Sequence, residues 1–375
     1  MKKIIISVLG LFIVLVNNVC AQEKQNFREW AQTPPMGWNS WDCYGPTVTE
    51  KETKANADFM AKNLKQYGWE YVVVDIRWFI ANDKAGGYNE SNPVYVIDNY
   101  GRYQPAENRF PSSVNGKGFK ALADYVHSKG LKFGIHIMRG IPKVAVMRHL
   151  PVKGTNGITA DQIYSEEGRC KWLKDNYTVD ASKPGAQEYY NSIFDMYAEW
   201  GVDFIKIDDL SAPDYHQPEI DMIPLGHIAI RGERGEDRMT RLTKDEQYSL
   251  MTFFCIFRSP LMFGGDLPTI DPFTLSLLTN KGVLKMHKDG THVRELFNDG
   301  KKLAITSKDA KNGATYLALF NLADQKQQIE VPLNSLGIKG AKKATLLWDN
   351  KQVGKVKGKV KANLNPHACT LYKLD

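Results

Sequence analysis

Cysteine is scarce in this chain of 375 residues, with five in all. Cys43, Cys170, Cys255 and Cys369 stand far apart and show neither a CxxC pair nor a Cys/His spacing, so a zinc site is not expected. Cys255 falls on an apolar helix face and Cys369 in an alternating strand, which makes both core residues; whether Cys43 pairs with Cys170 stays open. His-x-His and other ligand-rich spacings are missing too, which argues against a metal-dependent hydrolase, and neither metal nor cofactor is expected. Apolar runs long enough to cross a bilayer are lacking: the run from Ile4 to Val16 is too short. Basic residues lack an accompanying aromatic platform, so nucleic acid is not an expected partner. The lysines at 351, 355, 357, 359 and 361 read instead as the wet face or edge of strands.

Met1-Lys2-Lys3, the short apolar run and Val19-Cys20-Ala21 have the layout of a signal peptide cut after Ala21. Cys20 lacks the small residues that precede a lipidated cysteine. The expectation is export to the periplasm or beyond, with no membrane attachment after cleavage. Lys2 and Lys3 belong to that segment, so the net charge of +7 overstates that of the mature chain.

The remainder is organised around Gly201-Val202-Asp203-Phe204-Ile205-Lys206-Ile207-Asp208-Asp209. It follows an amphipathic helix and reads as a buried strand ending in two carboxylates. Residues two apart on a strand share a face, so Phe204, Lys206 and Asp208 point one way. A helix, a stopping glycine, an apolar strand and a polar tip recur at Gly68, Gly130 and Gly201. Non-alternating strands separated by helices imply a parallel sheet covered on both sides, and polar tips gathered at one mouth imply a (β/α)8 TIM-type barrel. Strands are expected near 36, 71, 131, 202, 222 and 259, which is six where a closed barrel has eight. Two βα units are missing, and the interval from Asp208 to Ser259 is where they would fall. From Lys288 the apolar period changes to two, which predicts a C-terminal antiparallel β-sandwich. The expected domains are therefore 1–21 signal peptide, 22–287 barrel and 288–375 sandwich.

Asp208 is the candidate nucleophile. A retaining glycosidase needs an ionised carboxylate beside the anomeric carbon and a protonated one roughly 5–5.5 Å away. Lys206, on the same face, would hold Asp208 ionised and could donate to a sugar hydroxyl. Asp75 and His136 end the two preceding strands and would converge on the same mouth. Trp38 and Trp41, on the first strand, could stack on a sugar or simply fill the barrel floor.

These residues carry a resemblance. Thr33 to Trp41 (TPPMGWNSW), Tyr71 to Asp75 (YVVVD), Gly130 to Ile137 (GLKFGIHI), Trp200 to Asp208 (WGVDFIKID) and Ser259 to Leu267 (SPLMFGGDL) resemble, in order, the motifs of glycoside hydrolase family 27, the α-galactosidases or melibiases. The resemblance implies a barrel followed by a β-sandwich and retaining hydrolysis of terminal α-D-galactosides, with an oligosaccharide or polysaccharide as partner. It implies that Asp208 is the nucleophile, that Lys206 and Asp75 bind sugar hydroxyls, and that Trp38 and Trp41 line the pocket. Asp221, before Met222, resembles a sugar-contacting aspartate of the seventh strand.

Two departures modify the expectation. Family members carry two adjacent aspartates at the second strand tip, and here the second is Ile76, which cannot accept a hydrogen bond from a sugar's hydroxymethyl group. A preference for β-L-arabinopyranosides, galactose-configured but lacking that group, is therefore expected. The family's Trp-Arg pair and the acid/base aspartate after it have no counterpart between Glu219 and Asp221, and Asp221 is only the nearest substitute. Losing a general acid costs roughly two to four powers of ten in rate, so a non-catalytic carbohydrate-binding protein is the alternative.

Overall fold

Five short strands, β1 (Met36–Asn39), β2 (Tyr71–Val74), β3 (Lys132–Met138), β4 (Phe204–Asp208) and β5 (Leu261–Phe263), form one sheet in the order β5-β1-β2-β3-β4. Every adjacent pair is parallel. A parallel bridge between Ile223 and Phe263 adds a sixth strand position beside β5. The computed structural model describes Glu29 and residues 31–210 and 222–375. The signal segment 1–21 and the acid/base substitute Asp221 lie outside the described residues.

The strands are apolar because both faces are covered. Val72, Val73 and Val74 of β2 and Phe133 and Ile135 of β3 are buried. Helices α1 (Glu50–Asn63), α2 (Lys120–Ser128), α3 (Ala186–Glu199) and α4 (Lys244–Ile256) supply the cover. β1 approaches β2 so closely that a Cβ on Gly37 would lie 2.4 Å from the Tyr71 carbonyl oxygen, which requires glycine there. β4 differs from its neighbours: all five of its residues are only half-buried. Among the described residues no strand pairs with its outer edge.

Two helices start a few residues later than the capping residue types before them suggest. Thr47 and Glu50 have the spacing of a capping box, but the box that opens α1 is Thr49 with Glu52. Thr47 is occupied by the Tyr44 carbonyl, and Glu50 pairs with Lys54 and accepts the Ser112 N–H. The cap of α3 is Gly185, three residues beyond Ser182, whose hydroxyl is bound to Asp180. Thr243 with Glu246 forms the capping box of α4.

The C-terminal part contains β6 (Gly290–Asn298), β7 (Lys302–Asp309), β8 (Thr315–Asn321), β9 (Gln327–Pro332), β10 (Lys342–Leu346), β11 (Lys351–Val356), β12 (Lys359–Leu364) and β13 (Cys369–Leu374). They pair antiparallel in two sheets, β6-β7-β8-β13-β10-β11 and β9-β12. Leu317, Leu319, Ile329, Val331 and Val360 form a buried cluster between them. The lysine run lies on β11, β12 and the turn between them, and Lys355 of β11 stands opposite Lys343 of β10, both in water. Trp348 donates its indole N–H to Thr252 of α4 (2.8 Å), tying this part to the α/β part.

Candidate active site

The site follows from strand register. Val74 of β2 is level with Ile135 of β3, and His136 is level with Lys206 of β4. The residue after Val74, Asp75, therefore stands in one row with His136 and Lys206, and Asp208 lies one pleat further toward the carboxyl ends. Asp75, Ile76, His136, Lys206 and Asp208 line one cavity of about 760 Å³. Trp41, Asp42, Tyr88, Trp172 and Glu233 complete much of its wall.

Asp75 is the most constrained group, at 1 % exposure. Its Oδ2 accepts the Asn39 amide (2.7 Å) and faces the Lys206 ammonium at 3.6 Å. Its Oδ1 accepts the Ile76 N–H (2.9 Å) and meets His136 Nδ1 at 2.6 Å. Burial alone would raise the Asp75 pKa, but the charges of His136 and Lys206 and these hydrogen bonds hold it far below the usual carboxylate range. His136 is buried, which by itself lowers an imidazole pKa; the Asp75 charge and the two carboxylates' hydrogen bonding outweigh that and raise it. Its Nε2 stands 3.3 Å from Asp208 Oδ2, off the ideal hydrogen-bond line. Asp208 accepts the Asp209 N–H at 2.6 Å. Burial pushes Asp208 up, but His136, that N–H and Lys206 bring its pKa below the ordinary value.

The chain Lys206–Asp75–His136–Asp208 thus presents an ionised carboxylate to the cavity with cationic neighbours fixed behind it. Such a group can act as a nucleophile toward an electrophilic carbon, and the ammonium can donate to a hydroxyl. Asp209 turns away: its backbone is left-handed (φ 60°), and its carboxylate pairs with Arg139 at 2.6 Å. Trp41 lines the cavity, whereas Trp38 is fully buried, with its indole N–H on the Gly265 carbonyl at 2.9 Å. Trp38 is a floor residue because its strand is covered on both faces. Cys43 and Cys170 are both free thiols. Burial pushes the Cys170 thiol up to about 11, against the opposing pull of the Leu173 and Trp172 backbone. Among the described residues no group of three or more His, Cys, Asp or Glu is arranged to hold a metal.

Sequence reasoning missed Asn39, Asp42, Tyr88, Trp172 and Glu233. Asn39 adjoins Trp41 within the same motif, so its polarity was a usable signal. Tyr88, Trp172 and Glu233 arrive on long connections that carry no periodicity.

A parallel β/α sheet with an ionised carboxylate and a neighbouring ammonium in a polar cavity at the strands' carboxyl ends defines a hydrolase of the β/α-barrel class. Comparison narrows this. The family profile "Alpha galactosidase A" matches residues 33–148, and "Alpha galactosidase C-terminal beta sandwich domain" matches residues 300–374. The crystal structure of a GH27 β-L-arabinopyranosidase from Geobacillus stearothermophilus is 42% identical, with a TM-score of 0.88 over 92% of this chain and 97% of that one. A variant of the same enzyme in complex with arabinose gives 41% and 0.89. Alpha-galactosidase A of Cellvibrio japonicus is 34% identical over 211 residues, 56% of this chain but only 38% of that protein. The alpha-galactosidase of Cyamopsis tetragonoloba is 23% identical over 413 aligned positions, covering 92% of this chain and 86% of its own. The chain belongs to glycoside hydrolase family 27.

Proposed function

We propose that this chain is an exported retaining exo-glycosidase that releases terminal β-L-arabinopyranosyl residues in preference to α-D-galactosyl residues. The observation that carries the preference is Ile76, buried at 1 % exposure and lining the cavity beside Asp75. A galactoside would set its exocyclic hydroxyl against a side chain that can neither donate nor accept, and an arabinopyranoside has no such hydroxyl. Likeness to the Geobacillus arabinopyranosidase, whose variant holds arabinose, supports the same reading. In this reading Asp208 attacks the anomeric carbon as the glycosidic C–O bond breaks, and the departing aglycone oxygen takes its proton from water. Water then displaces the carboxylate, releasing the sugar and restoring the configuration. Lys206 and Asp75 bind ring hydroxyls, and His136 keeps Asp208 ionised. Export rests on the N-terminal segment alone.

We further propose that this copy is short of two βα units and works slowly on poor leaving groups. The alignment with the Cyamopsis relative runs over 413 positions, more than the 375 residues of this chain. A second cavity of about 380 Å³ is lined by Phe204 of β4, Phe253 and Phe254 of α4 and Met262 of β5. Phe253 and Phe257 are 40 % and 42 % exposed, large for aromatic side chains on a barrel helix. These features also favour the second reading, a carbohydrate-binding protein without catalysis.

Paired nitrophenyl β-L-arabinopyranoside and α-D-galactopyranoside assays decide the specificity. Arabinoside turnover at least tenfold the higher in kcat/KM is expected, falling in Ile76→Asp; a wild-type preference for the galactoside refutes it. Mass spectrometry of a trapped glycosyl ester on Asp208, using an activated fluoroglycoside, separates enzyme from binder: no adduct favours the binder.

A further inference from the structure

Tyr88 lies in the long connection between β2 and α2, a segment tied down at several points. Ile80 bridges Tyr95, and the Ala81 N–H donates to the Val94 carbonyl (2.9 Å), closing the connection into a hairpin-like excursion. At its turn Asp83 accepts the Asn89 N–H (2.8 Å) and one arm of the Arg77 guanidinium (3.2 Å). The other arms of Arg77, itself 1 % exposed, grip Asp175 at 2.7 and 2.8 Å. The Arg77 guanidinium stands 5.2 Å from the centre of the Tyr88 ring, and the Trp41 ring contacts it with centroids 5.8 Å apart at 32°. The phenol ring is thus packed against an anchored cation and an indole, and it lines the same cavity as Ile76. Burial, and the nearby charges of Glu233 and Asp75, push its pKa well up, so it stays neutral.

We propose that Tyr88 is a specificity-determining residue of this site: with Trp41 and Ile76 it makes an apolar wall that accepts a pyranose ending at ring carbon five and rejects one bearing an exocyclic hydroxymethyl group. The inference rests on the arabinopyranoside reading above and adds that Ile76 does not act alone. A hydroxymethyl group pushed against this wall would need room that the Tyr88 ring occupies, and its hydroxyl would find no partner on Ile76. Discrimination of this kind is worth about ten- to a hundredfold between sugars differing by one such group. Arg77, anchored through Asp175 and Asp83, and Trp41 back the Tyr88 ring on the sides that they touch.

The test is calorimetric or NMR-detected binding of free L-arabinose and of free D-galactose to the intact protein, which requires no turnover. The wild type is expected to favour L-arabinose. Tyr88→Ala should lower the arabinose-to-galactose affinity ratio by about tenfold, while Tyr88→Phe should hold it within about twofold. Tyr88→Leu, which keeps apolar cover on Arg77 but shortens the wall, should give an intermediate ratio and replaces alanine if that variant does not fold. A ratio unchanged in both Tyr88→Ala and Tyr88→Leu, or equal weakening of both sugars, overturns the inference and leaves the arabinopyranoside reading standing. Failure of the wild type to bind either sugar overturns that reading as well.

Discussion

Replacing Asp75 by asparagine keeps the shape of the side chain and removes its charge, so it isolates what the carboxylate does. Asp75 holds four groups: Asn39 and Lys206 on one oxygen, Ile76 N–H and His136 on the other. An asparagine can leave its oxygen on only one side. If the oxygen faces His136, the new NH2 meets the Asn39 amide and the Lys206 ammonium. Asn39 cannot answer by flipping, because its own oxygen accepts the Trp41 N–H at 2.9 Å. If the oxygen faces Asn39, the NH2 collides with the Ile76 N–H. Either way Lys206 and His136 lose the Asp75 charge, one of their partners, and removing one member of a buried pair costs about 3–5 kcal/mol. For a chain of this size that is a fall in melting temperature of roughly 10 °C. Urea denaturation at neutral pH, followed by tryptophan fluorescence, measures it directly. If the lost Lys206–Asp75 attraction is the cause, Asp75→Asn combined with Lys206→Met should be more stable than additivity predicts, by about 0.5–3 kcal/mol. A single-variant loss under about 1 kcal/mol, or strict additivity of the pair, refutes the reasoning.

Stability should peak at mildly acidic pH as far as this network controls it. Asp75 and Asp208 have depressed folded pKa values, so their contribution is present above the unfolded carboxylate value of about 4 and is lost as pH falls below it. His136 has a raised one, so its contribution is complete below about 6.5 and is lost as pH rises through its folded value. Urea midpoints across the pH range should therefore decline on both sides, and His136→Gln should flatten the alkaline limb; an unchanged alkaline limb contradicts this. Gly264→Ala should destabilise by about 1–3 kcal/mol, because the new Cβ would lie 1.9 Å from Asp42 Oδ2 and force that carboxylate out of its place in the cavity wall. A thermal midpoint equal to wild type would show that Asp42 moves freely.

The parallel strands, their polar tips and the change to period two near Lys288 were legible in the chain itself, because burial on both faces, catalytic ends and half-wet sheets each leave a local composition. The proposed shortage of two βα units also comes from the chain alone, since the interval after Asp208 is short for the units a closed barrel would need there. Asp208, Lys206, Asp75 and His136 could be named because each ends a recognisable strand. Their alignment into one row was decided by register, which follows from how neighbouring strands pack. Tertiary structure also separated Trp38 from Trp41, three residues apart in one motif, by burying the first and leaving the second on the cavity. Tyr88 and Glu233 were invisible beforehand for a different reason. A loop residue is placed by contacts made far along the chain, as Arg77 is placed by Asp175, 98 positions away, and no local pattern encodes a partner at that distance.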